Sequence, residues 1–326
     1  MNIVVTGVAG FIGFHTAKKL LSEGNQVVGI DNLNDYYDVR LKNYRLELLK
    51  DIDGFTFIKC DLSERGQCED AFGSIKVDVI IHLAAQAGVR YSIINPYSYT
   101  KNNVDAFLNI LEVCRHHKIP RLCYASSSSV YGGLTTFPFK ESMQVDTPIS
   151  LYAATKKANE LMAHTYSHLY GFETIGFRFF TVYGPVGRPD MAMWLFTDAI
   201  MKGEAIKVFN HGKMKRDFTY IDDIVKGLTA SIVATMPSKC EVFNLGNNKN
   251  EELGDLIKYI ETYLSKQATK EMLPMQAGDV EETFADISKA HKYLNFSPSV
   301  QLKDGVKEFT VWFTEQWLPY LDKQKK

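Results

Sequence analysis

Ile3-Val4-Val5-Thr6-Gly7-Val8-Ala9-Gly10-Phe11-Ile12-Gly13 opens the chain. The β-branched run predicts a strand, and apolar residues from Phe11 onward recur at helical spacing, so the glycines fall where strand turns into helix. Glycines there permit a tight turn, bring backbone close to a pyrophosphate and let the helix pack on the strand, with its N-terminus facing the phosphates. A glycine triplet alone is weak evidence. Asp31 strengthens it, because it ends the second strand 18 residues past Gly13 and can accept hydrogen bonds from an adenosine ribose while repelling a 2′-phosphate. The stretch therefore points to a dinucleotide site, for NAD rather than NADP, built on Gly7, Gly10, Phe11, Ile12, Gly13, Asp31 and Asn32.

Outward from that turn, short apolar runs alternate with helical stretches, which predicts a parallel sheet covered on both faces. The runs are Ile3–Thr6, Gln26–Ile30, Thr56–Lys59, Val79–His82, Leu122–Ala125 and Thr174–Phe179; the helices are Phe11–Glu23, Asn34–Leu49, Ser63–Gly73, Tyr97–His116 and Leu151–Tyr170. Asp61-Leu62 and Leu83-Ala84-Ala85 follow the third and fourth strands at the sheet's carboxyl edge, where they are expected to line the adenine and pyrophosphate. Beyond residue 180 the alternation stops, turn signals such as Gly184-Pro185 appear, and helices return at Leu253–Leu264, Ile287–Tyr293 and Lys303–Trp317. The expected fold is α/β, a Rossmann-type doubly wound parallel sheet with a smaller mixed α/β substrate-binding domain. Residues 1–178, with 218–244 returning, would form the nucleotide domain; 179–217 and 245–326 would form the smaller one, with a ligand cleft between them.

The 326 residues are 45% apolar and 23% charged, with 37 Lys+Arg against 38 Asp+Glu, so disorder is excluded and no global field holds a polyanion. Local basic clusters are short, at Lys213–Arg216 and the Lys323–Lys326 tail, and no nucleic-acid partner is expected. Five cysteines, an odd number without a C-x-x-C pair, suit a reducing cytoplasm. No apolar run reaches the 18 residues of a membrane span, and the N-terminus lacks a charged n-region, so neither export nor anchoring is expected. His164 and His168 share a helix face without a third ligand, so no metal is expected.

Tyr152-Ala-Ala-Thr-Lys156 opens a helix, and residues four apart share one face, so phenol and ammonium point into one space. Bringing a tyrosine from its ordinary pKa of about 10 to about 7 takes roughly 4 kcal/mol, which Lys156 and an oxidised nicotinamide could supply in a dry site. The fifth strand runs into Ser126-Ser127-Ser128-Ser129-Val130-Tyr131-Gly132, placing hydroxyls beside the same half of the site.

With these residues the chain resembles the extended short-chain dehydrogenase/reductases, over nearly its whole length. Within them, Asp31–Val39, Ser150–Lys157, Arg178–Met191 and Gly212–Asp223 are similar to segments of bacterial UDP-glucuronate 4-epimerases, in the NAD-dependent epimerase/dehydratase family. The resemblance implies tightly held NAD, a UDP-sugar substrate and transient oxidation at C4. It makes Tyr152 the base, Ser127 the hydroxyl on the sugar 4-oxygen and Lys156 the holder of tyrosine and nicotinamide ribose. Ser128, Ser129 and Thr181 would surround the sugar carboxylate, Arg188 would neutralise it, Arg216 would bind the diphosphate and Asp279 the uridine ribose. Lys42 and Asn102 join the cofactor set on resemblance alone, and Arg90 is open between a phosphate or carboxylate contact and a structural ion pair. A 4,6-dehydratase of this type needs adjacent Asp and Glu where Ser128 and Ser129 stand, and a UDP-glucuronate decarboxylase a Glu at Ser129, so neutral hydroxyls favour epimerisation alone. A UDP-glucose or UDP-N-acetylglucosamine 4-epimerase is the alternative, as Ser127, Tyr152 and Lys156 would serve it equally; a non-catalytic NAD-sensing module is the other class. Tyr97–His116 and Leu151–Tyr170 resemble the helices of a four-helix interface, implying a homodimer, with Phe107, Leu111, Leu161 and Leu169 open between interface and core. Surface-polysaccharide synthesis is a family-level association.

Overall fold

The computed structural model describes residues 1–73, 75–276 and 278–325. Ala277, in the Gln276–Asp279 segment, and Lys326, in the basic tail, lie outside them. Strand β1 (Asn2–Thr6) is flanked by β2 (Gln26–Asp31) and β4 (Val79–His82); β3 (Phe55–Lys59) lies beyond β2, and β5 (Arg121–Ser127) and β6 (Glu173–Phe179) beyond β4. Every ladder of this sheet is parallel. Strand order reverses between β1 and β4, which opens a crevice above their carboxyl ends where ligands of such sheets bind. Six strands were expected; Cys240–Leu245 adds a seventh beside β6. Its first half is only half-buried, so it lacks the continuous apolar run that marks a doubly covered strand.

Helix α1 (Phe11–Ser22) begins as expected, whereas α2 (Val39–Lys50) starts five residues later than the apolar pattern suggests. Residues 31–36 are held instead by side chains accepting from backbone two residues on, Asp31 from Leu33, Asn32 from Asn34 and Asn34 from Tyr36, before Asp38 caps the helix. Asp and Asn compete with helical backbone bonding in this way. Between 97 and 116 one helix was expected; the chain has a short helix at Pro96–Tyr99, a π-helical turn at Thr100–Asp105 and a regular helix at Ala106–His116.

Residues after 180 contribute two-stranded sheets and the helices Ala192–Lys202, Ile221–Ala230, Leu253–Leu264 and Leu302–Trp312. The first two of these helices were not expected. One apolar cluster runs from Ile3 and Val5 under the sheet through Phe177 to Leu228, Leu256 and Trp312, so both parts of the chain share a core. Phe107 and Leu111 belong to the core on the other face, while Leu161 and Leu169 are exposed.

Candidate active site

A cavity of about 1110 Å³ lies above the carboxyl edge of the sheet, and every candidate site residue from the sequence lines it. Its floor is the glycine turn. A Cβ on Gly7 would sit 2.7 Å from the Ala84 nitrogen and one on Gly13 2.1 Å from the Gly7 carbonyl, so both positions exclude a side chain. Thr6 Oγ1 accepts from Leu83 and Ala84 at 3.2 Å and bonds His82 Nδ1 at 2.8 Å, which pins the β4 loop beside the turn. Gly10 caps α1 without a side-chain bond, and the first turn holds no acid. The helix end is thus open to an anion at its positive pole.

Asp31, at the end of β2, accepts from Ala9 at 3.1 Å and from Leu33 at 2.9 Å. Burial raises its pKa, opposed by the charge of Lys42. Lys42 donates to the Asn34 carbonyl and side chain, both at 2.7 Å, while Asn32 lines the cavity beside them. Asp61 and Leu62 follow β3, Asp61 taking the Ser63 amide and hydroxyl, and Asn102 reaches the rim from the π-turn, donating to Ser98. Bare glycine backbone, an open helix end and a buried carboxylate form a pocket that NAD fits, with a remaining lone pair on each Asp31 oxygen for ribose hydroxyls.

At the other end, Ser150 caps the helix Leu151–Tyr170 by accepting from Ala153. Tyr152 and Lys156 then share a face, but the ammonium donates to the Ala125 carbonyl at 2.9 Å and makes no hydrogen bond to the phenol. Burial lowers the Lys156 pKa to about 8. Burial raises that of Tyr152, while Ser127 and the Arg188 charge pull it back. Of the charges around the phenol, that of Arg188 lowers its pKa and that of Asp190 raises it. Ser127 accepts from the Ser129 amide at 3.1 Å, which aims the serine turn into the cavity. Ser126 points away, donating to Glu160 at 2.6 Å.

Arg188 gives its Nε and Nη2 to Asp190 at 3.0 and 2.5 Å, so the cation expected for a substrate carboxylate already has a partner. Thr181 faces the same space, beside the serine turn. Arg90 pairs with Asp279 at 3.2 Å, and Arg216 donates to the Lys215 and Glu281 carbonyls. Burial lowers the Arg216 pKa against the nearby Asp279 carboxylate.

The model of the NAD dependent epimerase/dehydratase family matches residues 3–246. This chain belongs to that family. It is similar to an uncharacterized protein of Methanocaldococcus jannaschii, 52% identical over 97% of this chain and 98% of that one. It is 45% identical to the UDP-glucuronate 4-epimerase of Thermodesulfobacterium geofontis, over 96% of each chain. The crystal structure of UDP-glucuronic acid 4-epimerase from Bacillus cereus, in complex with UDP-glucuronic acid and NAD, matches with a TM-score of 0.90 and 34% identity, over 97% of this chain and 99% of that one.

In this member of the epimerase/dehydratase family, four further residues line or support the cavity without a local sequence signal: Tyr36, Asp190, Arg45 and Asn103. Tyr36 and Asp190 bond each other across 154 residues, and although Asp190 stands two residues from Arg188, nothing local ties the three together. Arg45 is fully buried and donates to the carbonyls of Ala9, Val186 and Gly187, joining the glycine turn to the loop before Arg188. Asn103 bonds Gln86 and Thr155, but it stands in the polar run Lys101-Asn-Asn-Val-Asp105, where one more amide carries no local signal.

Proposed function

We propose that this chain interconverts UDP-glucuronate and UDP-galacturonate by inverting C4 through a transient 4-keto sugar. The observation that carries this reading is that Ser127, Tyr152, Lys156 and Arg188 line one cavity, with neutral Ser128 and Ser129 where elimination would need acids. Tyr152 takes the proton of the 4-hydroxyl, Ser127 donates to the 4-oxygen, and Lys156, held on the Ala125 carbonyl, anchors the ribose near the phenol. NAD, when bound, supplies the hydride acceptor at C4 and afterwards the donor. Gly7, Gly10, Phe11, Ile12 and Gly13 bind its pyrophosphate; Asp31, Asn32 and Lys42 take its adenosine ribose; Asp61, Leu62, Leu83, Ala84, Ala85 and Asn102 line the rest of its pocket. After oxidation the ketone turns over within the sugar pocket, and Tyr152 returns the proton as the other face is reduced. Arg216 and Asp279 hold the UDP end, with Arg90 closing on Asp279. Ser128, Ser129, Thr181 and Arg188 surround the carboxylate, guarding a β-keto acid that readily loses carbon dioxide. Residues 1–178 with 218–244 serve the cofactor and the remainder the sugar.

The alternative is C4 epimerisation of UDP-glucose, which is favoured by Arg188 already being neutralised by Asp190. Incubating purified protein with UDP-glucuronate, without added cofactor, decides between them. UDP-galacturonate is the expected product; a pentose product overturns the guarding role of Arg188, and turnover of UDP-glucose alone moves the assignment to the alternative.

The working unit in this reading is a homodimer in the cytoplasm, supplying surface-polysaccharide synthesis. Leu108, Leu161 and Leu169 lie exposed on the two helices of the proposed interface, with Ile94 and Tyr97 nearby in sequence. Apolar side chains left on neighbouring elements favour association. Light scattering at micromolar concentration should give twice the 37.0 kDa chain mass, and a monomer in Leu161→Lys. A monomeric wild type rejects the dimer. No helix among the described residues is long and apolar enough to cross a membrane.

A further inference from the structure

Inside the cavity, Asp190 receives both Arg188 Nε and Nη2, and its Oδ2 also accepts from the Tyr36 hydroxyl at 3.0 Å. The two charged side chains are 23% and 28% exposed, and both act on Tyr152, Arg188 lowering and Asp190 raising its pKa. Gly88, with φ of 99°, carries the β4 loop past them; a Cβ there would lie 2.9 Å from Tyr36 Oη and 3.6 Å from Asp190 Oδ2. Glycine thus lets the β4 loop pack closely against an ion pair that lines the cavity.

Resting on the function proposed above, we propose that Asp190 is a positioning residue that competes with the substrate carboxylate for Arg188, so that the sugar stays free to turn over. A guanidinium grips a carboxylate best through a planar two-bond fork. Here the Nε and Nη2 edge is occupied, so a uronate carboxylate meets only the remaining hydrogens or must displace Asp190. Turnover of the ketone needs that looseness, since C4 must show both faces in succession while the carboxylate leaves one place for another. Exchanging one carboxylate for another on Arg188 keeps the charge count at the fork constant and lowers the cost of release.

Binding is measured by calorimetry on a Tyr152→Phe background, which slows conversion, with UDP-glucuronate and UDP-glucose. Asp190→Asn should tighten UDP-glucuronate about tenfold and leave UDP-glucose within about twofold, because only the charged sugar gains an uncontested cation. On the active background the same change should lower KM and kcat together for UDP-glucuronate. Tyr36→Phe should act oppositely, weakening UDP-glucuronate selectively, as Asp190 then gives its full charge to Arg188. Equal shifts for both sugars, or no shift, overturn the proposal and leave Asp190 a structural residue. Should Asp190→Asn fail to fold, the Tyr36→Phe selectivity alone decides. A wild type that leaves UDP-glucuronate unconverted defeats the functional reading itself, a result visible before any variant is made.

Discussion

At the scale of single residues, the chemistry rests on a phenol whose surroundings pull in both directions. Tyr152→Phe should retain NAD and UDP-sugar while turnover falls about 10²- to 10⁴-fold, the usual share of a positioned acid or base. Unchanged turnover in a product assay would remove Tyr152 from the mechanism. His82 shows the opposite balance, because burial and the neighbouring Lys156 charge lower its pKa to about 3, and burial lowers that of His15 to about 4. Below pH 6.5 the unfolded chain binds protons at these imidazoles that the folded chain refuses. Stability from this source is complete above pH 6.5 and is lost as the pH falls toward 4 and then 3. Denaturant unfolding at pH 4.5 and 7 should show a smaller loss in His82→Gln than in the wild type.

Among elements, β5 and the helix Leu151–Tyr170 must keep register for Ser127 to face Tyr152. A buried clamp does this. Glu160 accepts from Ser126 at 2.6 Å and takes Arg178 Nε and Nη2 of β6, each at 2.8 Å, with both charged side chains nearly inaccessible. Tyr131 supports the clamp from the serine turn, its ring 4.9 Å from the guanidinium. Removing one partner of a buried pair strands the other charge, so Glu160→Gln should cost about 3 kcal/mol in urea unfolding. A loss no larger than that of a surface change would show that Arg178 finds another partner. The π-turn at Thr100–Asp105 is a second such device, since its widened turn puts Asn102 at the cavity and Asn103 against Gln86 and Thr155.

Across the whole molecule, Arg45 joins the glycine turn to the loop that presents Arg188, through three buried carbonyls. Arg45→Met leaves those oxygens unpaired and should cost about 3 kcal/mol. Its purified protein should also carry less NAD, measured by absorbance after acid release; full NAD content would uncouple the two loops. What the chain determines by itself is local: strand and helix periods, the glycine turn, Asp31 closing β2, and a phenol and a lysine one helical turn apart. Each depends on spacing along a few residues, which period and steric demand make visible. Only the tertiary structure decided that Cys240–Leu245 joins the sheet, that residues 31–36 bond their own backbone instead of extending α2, and that Arg188 meets Asp190 and Tyr36. Those outcomes turn on which buried polar groups find partners across long loops, and such pairing has no period in the sequence.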